Sequence, residues 1–312
     1  MHLTGDEDAQ RIIDSFYGSH YTATDIDGLL NKLITQLPAI SSATLSPISL
    51  VLMDNDANLP NVDKESIILT YKAPVATAYF ASGAAEGVIN EWVSQHTDGN
   101  VKSLVSSVLP APSKQCITAH TAHLSAYLGH GSYYLERAFT SPDGKSELKK
   151  MVAIYSNTSW LEDEGKLIIP ITVSGPIKLV LIMPKGNIAA EKDWLRNTWK
   201  EAVTLLDSKD TDWAKVILPT FTAKTDIELS TTQTKWEFAP EIDEIHLTSD
   251  FTINANGISY VPESDDAPSA LPPISDEDFE PLTSLTIDNP FYFFIYEQTS
   301  NTIITAGAYK GK

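Results

Sequence analysis

The residues able to do chemistry are few and widely spaced. His120 and His123 sit three apart within residues 115–128, a stretch whose loose alternation predicts a long strand. Strand side chains alternate between faces, so a spacing of three points the two imidazoles to opposite sides and argues against a shared metal. Gly129-His130-Gly131-Ser132 brings a histidine near a serine. It lacks the GxSxG pattern and the strand-to-helix setting that expose a nucleophilic serine. The carboxylate pairs Glu162/Glu164 and Asp276/Asp278 read as solvated loop acids. No GxxxxGK, GxGxxG, HExxH or CxxC occurs. The chain is therefore not expected to be an enzyme, and neither a cofactor nor a metal is expected.

Composition narrows the partners. The 312 residues carry a formal charge of -19, with a sequence pI near 4.6. Such a surface repels phosphate backbones and anionic bilayers, so neither nucleic acid nor a membrane is an expected partner. Cys116 is the single cysteine, which rules out an intrachain disulfide. No apolar run approaches the ~20 residues of a membrane span. The opening, MHLTGDEDAQ, is acidic and polar, unlike a signal peptide.

The elements that would position any site follow from periodicity. Helices are predicted over residues 6–17, from a cap at Thr24 and Asp25 through Ile34, over 84–95, in a short turn through Val101, Leu104 and Val108, and over 189–206. Strands are predicted at 46–53, 115–128, 149–155, 166–173 and 177–183, the last two forming a hairpin around Ser174-Gly175-Pro176. Further strands are expected at 216–223, with Pro219 at a sheet edge or bulge, and at 247–253. Residues 291–296 and 302–306 should form a terminal hairpin. Helices come early and strands late, which is an α+β pattern in one domain, 1–312.

Between the last two strand regions runs GISYVPESDDAPSALPPISDEDFEPLTSLTIDNP, from Gly257 to Pro290. It holds Pro262, Pro268, Pro272, Pro273 and Pro281, many carboxylates, and no Lys or Arg. A segment this rich in Pro and charge cannot bury a core of its own, so residues 257–289 are expected to be an exposed, protease-accessible loop. Too little chain follows for a second domain, so the loop must be tethered at both ends to one sheet-rich body.

Several separated motifs then resemble one family, in order. Ile89-Asn90-Glu91-Trp92-Val93 with Thr97 and Gly99 resembles the INxWV…TxG signature of serpins. Leu179-Val180-Leu181-Ile182-Met183-Pro184 and Val216-Ile217-Leu218-Pro219-Thr220-Phe221 are similar to two of that family's strands. Phe251 to Gly257 resembles the strand that runs into the hinge glycine of the reactive loop. Asn289-Pro290-Phe291-Tyr292-Phe293-Phe294-Ile295 and Thr302 to Gly307 resemble the closing hairpin.

The resemblance implies a large central mixed β-sheet, two smaller sheets and several helices, mostly in the N-terminal half. It also implies a monomer that presents a reactive-centre loop to a serine or cysteine protease. After cleavage such a loop inserts into the central sheet and drags the acylated protease with it. A secreted, extracellular protein is implied, with a cytoplasmic one as the alternative. The family's first strand and two helices have no counterpart before Gly5, which suggests a fragment or a misplaced start.

The resemblance assigns hinge positions to Gly257, Ile258, Ser259, Tyr260, Val261 and Pro262, where inhibitory members carry small residues. Bait positions fall among Leu271, Ile274, Phe279, Glu280 and Leu282. Counting back from Pro290 favours Phe279-Glu280, and counting forward from Gly257 favours Leu271, because the loop is about eight residues longer than the family's. Without Lys or Arg, the protease would not be trypsin-like. At the centre of the sheet, His120 occupies the family's Asn position and Leu247 its His position. An alternation that buries Ile258 would also bury Tyr260, Pro262, Ser264, Asp266 and Pro268. The expectation is that backbone from Ser259 to Pro268 enters the sheet poorly and that trapping is impaired. A serpin-fold binding protein without trapping activity, or an unrelated α+β enzyme with a deep titratable pocket, are the alternatives.

Overall fold

The computed structural model describes residues 10, 20–36, 43–56, 61–97, 99, 102–105, 116–126, 128, 130–186, 192–230, 244–255, 257–259 and 283–311. The chain divides into two compact units. One comprises Met1–Ala39, Thr44–Leu124 and Lys224–Ser249, and the other Ile40–Ala43, Ser125–Ala223 and Asp250–Lys312.

In the first unit, helix α1 (Ala23–Gln36) begins one residue before its expected cap at Thr24. Thr22 takes the capping role in place of Thr24: its hydroxyl and its N–H donate to the Asp25 carboxylate, while the Asp25 N–H donates back to the Thr22 hydroxyl. This reciprocal arrangement satisfies donors that a helix start leaves open. The Thr22 hydroxyl, then its N–H, holds the Asp25 pKa below the usual aspartate value.

Strand β1 (Ala43–Asp54), helix α2 (Asn61–Tyr71) and strand β2 (Val75–Ala78) form a parallel crossover unit, with Val51 opposite Val75. Neither α2 nor β2 was expected from periodicity. In α2, Ile67 is buried while the adjacent Ile68 and Leu69 are exposed, so no apolar stripe marks the helix. Helix α3 (Ala84–His96) buries Ala85, Ile89 and Val93 against Leu50, Leu52, Ala78, Phe80 and Ala119.

The Asn of the INEWV motif has a clear structural task. Asn90 Oδ1 accepts from the Leu104 and Val105 N–H groups at 2.8 and 3.0 Å, and its Nδ2 donates to the Val105 carbonyl at 2.9 Å. Residues 102–105 are thereby held as irregular chain, not as the expected short helix; Val101 and Val108 lie outside the described residues. Thr97, buried, closes α3 by donating its hydroxyl to the Val93 carbonyl.

Strands β3 (Cys116–Ala126), β10 (Phe221–Ser230) and β11 (Glu244–Asn254) have residues in both units, and β12 (Gly257–Ser259) lies in the second. With β1 and β2 they make a six-stranded mixed sheet in the order β10-β11-β12-β3-β1-β2.

The second unit also carries two smaller sheets. Strands β4 (His130–Thr140), β5 (Ser146–Thr158), β9 (Asp212–Pro219) and β13 (Thr283–Thr286) form one, ordered β13-β9-β5-β4. Strands β6 (Leu161–Glu162), β7 (Lys166–Ser174), β8 (Ile177–Pro184), β14 (Phe291–Glu297) and β15 (Thr302–Tyr309) form the other, ordered β15-β14-β8-β7-β6.

Pro219, expected at a sheet edge or a bulge, lies beyond the last β13 partner of β9, which is Ile217. Pro219 ends the interior strand β9 opposite Met151, and Thr220 separates β9 from β10, so the run 216–223 is two strands in two sheets. A proline at a strand terminus removes no interior ladder donor. Helix α4 (Lys192–Leu206) lays Trp199 on Phe294 and Tyr296, at centroid distances of 4.6 and 5.5 Å. Ser159 and Gln298 donate to the terminal Leu205 and Leu206 carbonyls, which the helix itself leaves unpaired.

Candidate functional site

The site is the point where β11 turns into the long loop. Phe251, near the end of β11, stacks on Phe293 with centroids 5.1 Å apart, and Phe221 lies against Phe251, Phe291, Phe293 and Tyr309. These rings fix the strand from below, since each buries a large apolar area. The Thr252 and Thr222 hydroxyls are hydrogen-bonded at 2.9 Å, tying β11 to β10.

Beyond Asn254 the chain reverses and returns as β12 from Gly257. Asn254 pairs with Gly257, Ile253 with Ile258 and Thr252 with Ser259. A two-residue reversal of this kind demands unusual backbone angles. Gly257 supplies one, with φ 132, a conformation that a Cβ would strain.

On its other edge β12 pairs with β3, Ile258 opposite Ala126 and Ser259 opposite Ser125. The first residues of the loop therefore occupy a central position, with a strand on each side. Ile258 is 1% exposed and shares its face with Ile253 and Ala126, both buried. Burying it contributes about 1.5–3 kcal/mol. Ordering backbone costs about 1–2 kcal/mol per residue, so three residues enter the sheet with little margin unless other bonds support them.

Two such bonds come from β4. Its register against β5 shifts between His130 and Tyr133, an irregularity at Ser132. The Ser132 hydroxyl donates to the Ala255 carbonyl at 2.5 Å, and the Ala255 N–H donates to the Tyr134 hydroxyl at 3.2 Å. The Lys150 ammonium lies 4.1 Å from the centroid of the Tyr134 ring. His130, Gly131 and Ser132 thus begin a strand, and the serine holds backbone.

At the far end of the loop, β13 pairs in parallel with β9. Leu285 and Ile287 are 2% and 0% exposed, and the Ile287 N–H donates to the Ile217 carbonyl. The Asp288 carbonyl accepts from the Thr140 N–H at 2.8 Å. The expectation of an exposed segment over 257–289 is corrected at both ends, because Gly257–Ser259 and Thr283–Thr286 are strands. Short strands with one or two buried side chains leave no periodic signal amid prolines and acids.

Of the predicted hinge positions, Gly257, Ile258 and Ser259 lie together in the sheet, and of the stretch Ser259 to Pro268 only Ser259 is among the described residues. Tyr260, Val261 and Pro262, and the bait positions Leu271, Ile274, Phe279, Glu280 and Leu282, lie outside the described residues, as do Asp276 and Asp278. His120 is in β3 and Leu247 in β11. Ala126 and Ile253 both face Ile258, and an equal count back along the two strands reaches His120 and Leu247, which puts them level. Glu162 pairs with Lys185 at 3.0 Å at the rim of its sheet. Among the described residues no group of three His, Cys, Asp or Glu side chains could hold a metal ion, and no helix is long and apolar enough to cross a membrane. Ser132 and Tyr134 were missed as site residues. Ser132 drew notice only within the Gly-His-Gly-Ser run, and nothing local in the sequence marks Tyr134.

A six-stranded mixed sheet, two smaller sheets and a few helices are the fold the motifs implied. Residues 5–310 match the family model described as Serpin (serine protease inhibitor), and the chain belongs to that family. Over 152 residues it is 26% identical to an uncharacterized serpin-like protein of Methanosarcina mazei, covering 47% of this chain and 35% of that protein. Over 254 residues it is 23% identical to an uncharacterized serpin-like protein of Methanosarcina acetivorans, covering 72% of this chain and 56% of that protein. The chain thus matches between about a third and just over half the length of these relatives. Among solved structures, the thermophilic serpin tengpin in its native state superposes with a TM-score of 0.74 at 16% identity, covering 100% of this chain and 84% of that one. At that identity the likeness shows the fold.

Proposed function

We propose that this serpin presents its 260–282 stretch as bait to a serine or cysteine protease without basic specificity, and that it is cut more often than it traps. The observation that carries the reading is the register of β12. Ile258 faces the core, so a strand continued in that register would turn Tyr260, Pro262, Ser264, Asp266 and Pro268 inward as well. Pro262 and Pro268 offer no N–H to a ladder. A buried Asp266 without a partner costs several kcal/mol or must take up a proton. Tyr260 would have to displace packed core. The described part of β12 is Gly257–Ser259, and the composition beyond it opposes continuation of the strand. Family membership supports a protease as partner, and an extracellular encounter and a monomeric chain belong to the same reading.

The test is incubation with chymotrypsin-like and subtilisin-like proteases, followed by denaturing electrophoresis. The expected result is a chain nicked between residues 260 and 282, with the protease released and no complex surviving SDS. A stoichiometric SDS-stable complex contradicts the reading on trapping. Absence of any cut in that stretch contradicts the reading on bait. Trypsin should leave it intact, since it contains no Lys or Arg.

A further inference from the structure

We infer that Ser132 and Tyr134 are positioning residues for the loop, a latch on the Ala255 turn that decides which loop side chains meet the core. The inference rests on reading the loop as the moving part of this serpin. It names the residues that set its starting register.

The argument begins with the backbone of Ala255. It occupies a two-residue reversal, outside the Asn254–Gly257 pair that closes the β11–β12 ladder. Ala255 is buried, and a buried peptide group without partners is costly. Both of its groups are met by side chains of one strand: its carbonyl by the Ser132 hydroxyl, its N–H by the Tyr134 hydroxyl. Ser132 and Tyr134 are two apart and so project to one side of β4, and the register shift beside them is the kind of irregularity that re-aims side chains. Ser132 is buried, and Lys150 sits over the Tyr134 ring.

Holding Ala255 fixes where the reversal falls. A slip of one residue would send every β12 side chain to the opposite face. Ile258 would leave the core, and Ser259, Val261 and Glu263 would replace Ile258, Tyr260 and Pro262 as inward residues. Because β12 enters with so little margin, the two latch bonds are comparable in size to what holds it in place. The latch therefore selects the register whose continuation is blocked by Pro262 and Asp266.

The experiment uses the full, uncleaved chain without protease. Ile258→Cys in a Cys116→Ser background supplies one thiol, and its rate of maleimide labelling is measured with and without Ser132→Ala plus Tyr134→Phe. Labelling should accelerate about tenfold or more when the latch is removed, the scale of one to two lost hydrogen bonds. Ser132→Thr, which keeps the hydroxyl, should hold the slow rate. Amide exchange over residues 255–259 in the Ser132→Ala and Tyr134→Phe proteins, with Ile258 and Cys116 intact, gives the same readout should the thiol variant fold poorly. Faster exchange confined to 255–259 supports the latch. Unchanged labelling and exchange, or acceleration spread equally over β14 and β15, overturns it. Cleavage of residues 260–282 by a protease is scored separately, so the latch and the bait can each fail without the other.

Discussion

The loop's two ends are anchored in different ways. At entry, Gly257–Ser259 lies between two antiparallel neighbours, with one buried side chain, Ile258, and a turn held from β4. At exit, Thr283–Thr286 has a single parallel neighbour at a sheet edge, yet Leu285, Ile287 and the Asp288 carbonyl are all engaged behind it. The entry has more strand neighbours and less core; the exit has fewer neighbours and more core. Sheet position alone therefore does not rank the two anchors. The entry can withdraw at the cost of one isoleucine and a few ladder bonds, while the exit cannot leave without opening a hydrophobic core.

Substitutions separate the two ends. Ile287→Ala should have the largest effect, about 2–5 kcal/mol in urea unfolding, because the core behind the exit cannot retract from the cavity. Gly257→Ala should cost about 1–3 kcal/mol by forcing a Cβ onto a backbone at φ 132. Ile258→Ala should cost no more than about 2 kcal/mol, since withdrawal of β12 caps the loss. Because either change releases the same segment, the Gly257→Ala and Ile258→Ala costs should fall short of adding in the double variant. A cost for Ile258→Ala equal to that for Ile287→Ala would erase the distinction between the ends.

The smallest effect serves as a control at the β14–β15 turn, which belongs to neither end. Burial pushes the Glu297 carboxyl upward, but the Ser300 hydroxyl, the Ser300 N–H and the Thr299 N–H outweigh it and leave its pKa below the ordinary 4.5. A lowered folded-state pKa stabilises the native chain above the unfolded value, and this contribution is lost as pH falls through the folded one. Glu297→Gln should therefore cost about 1 kcal/mol at neutral pH and progressively less below the ordinary glutamate value. Protease susceptibility of residues 260–282 should not change.

Much of this arrangement was legible in the sequence. Asn90, Thr97 and Gly257 were legible as parts of motifs that resemble the family's, and the closing hairpin was legible also from its two apolar runs. The strand β13 was hidden because only Leu285 within it is buried, in a run otherwise polar. Helix α2 was hidden by three consecutive apolar residues facing different ways. The Ser132 and Tyr134 contacts to Ala255 span more than a hundred residues, and local periodicity carries no information about such a meeting.

The central claim is that the residues beyond Ser259 are poorly suited to join the sheet. Thermal unfolding of the intact chain beside the same chain nicked between 260 and 282 measures this directly. The account predicts melting temperatures within about 2 °C of each other, the shift expected from roughly 1 kcal/mol in a chain of this size. A rise of more than about 15 °C after nicking would mean several kcal/mol of new sheet and would contradict it.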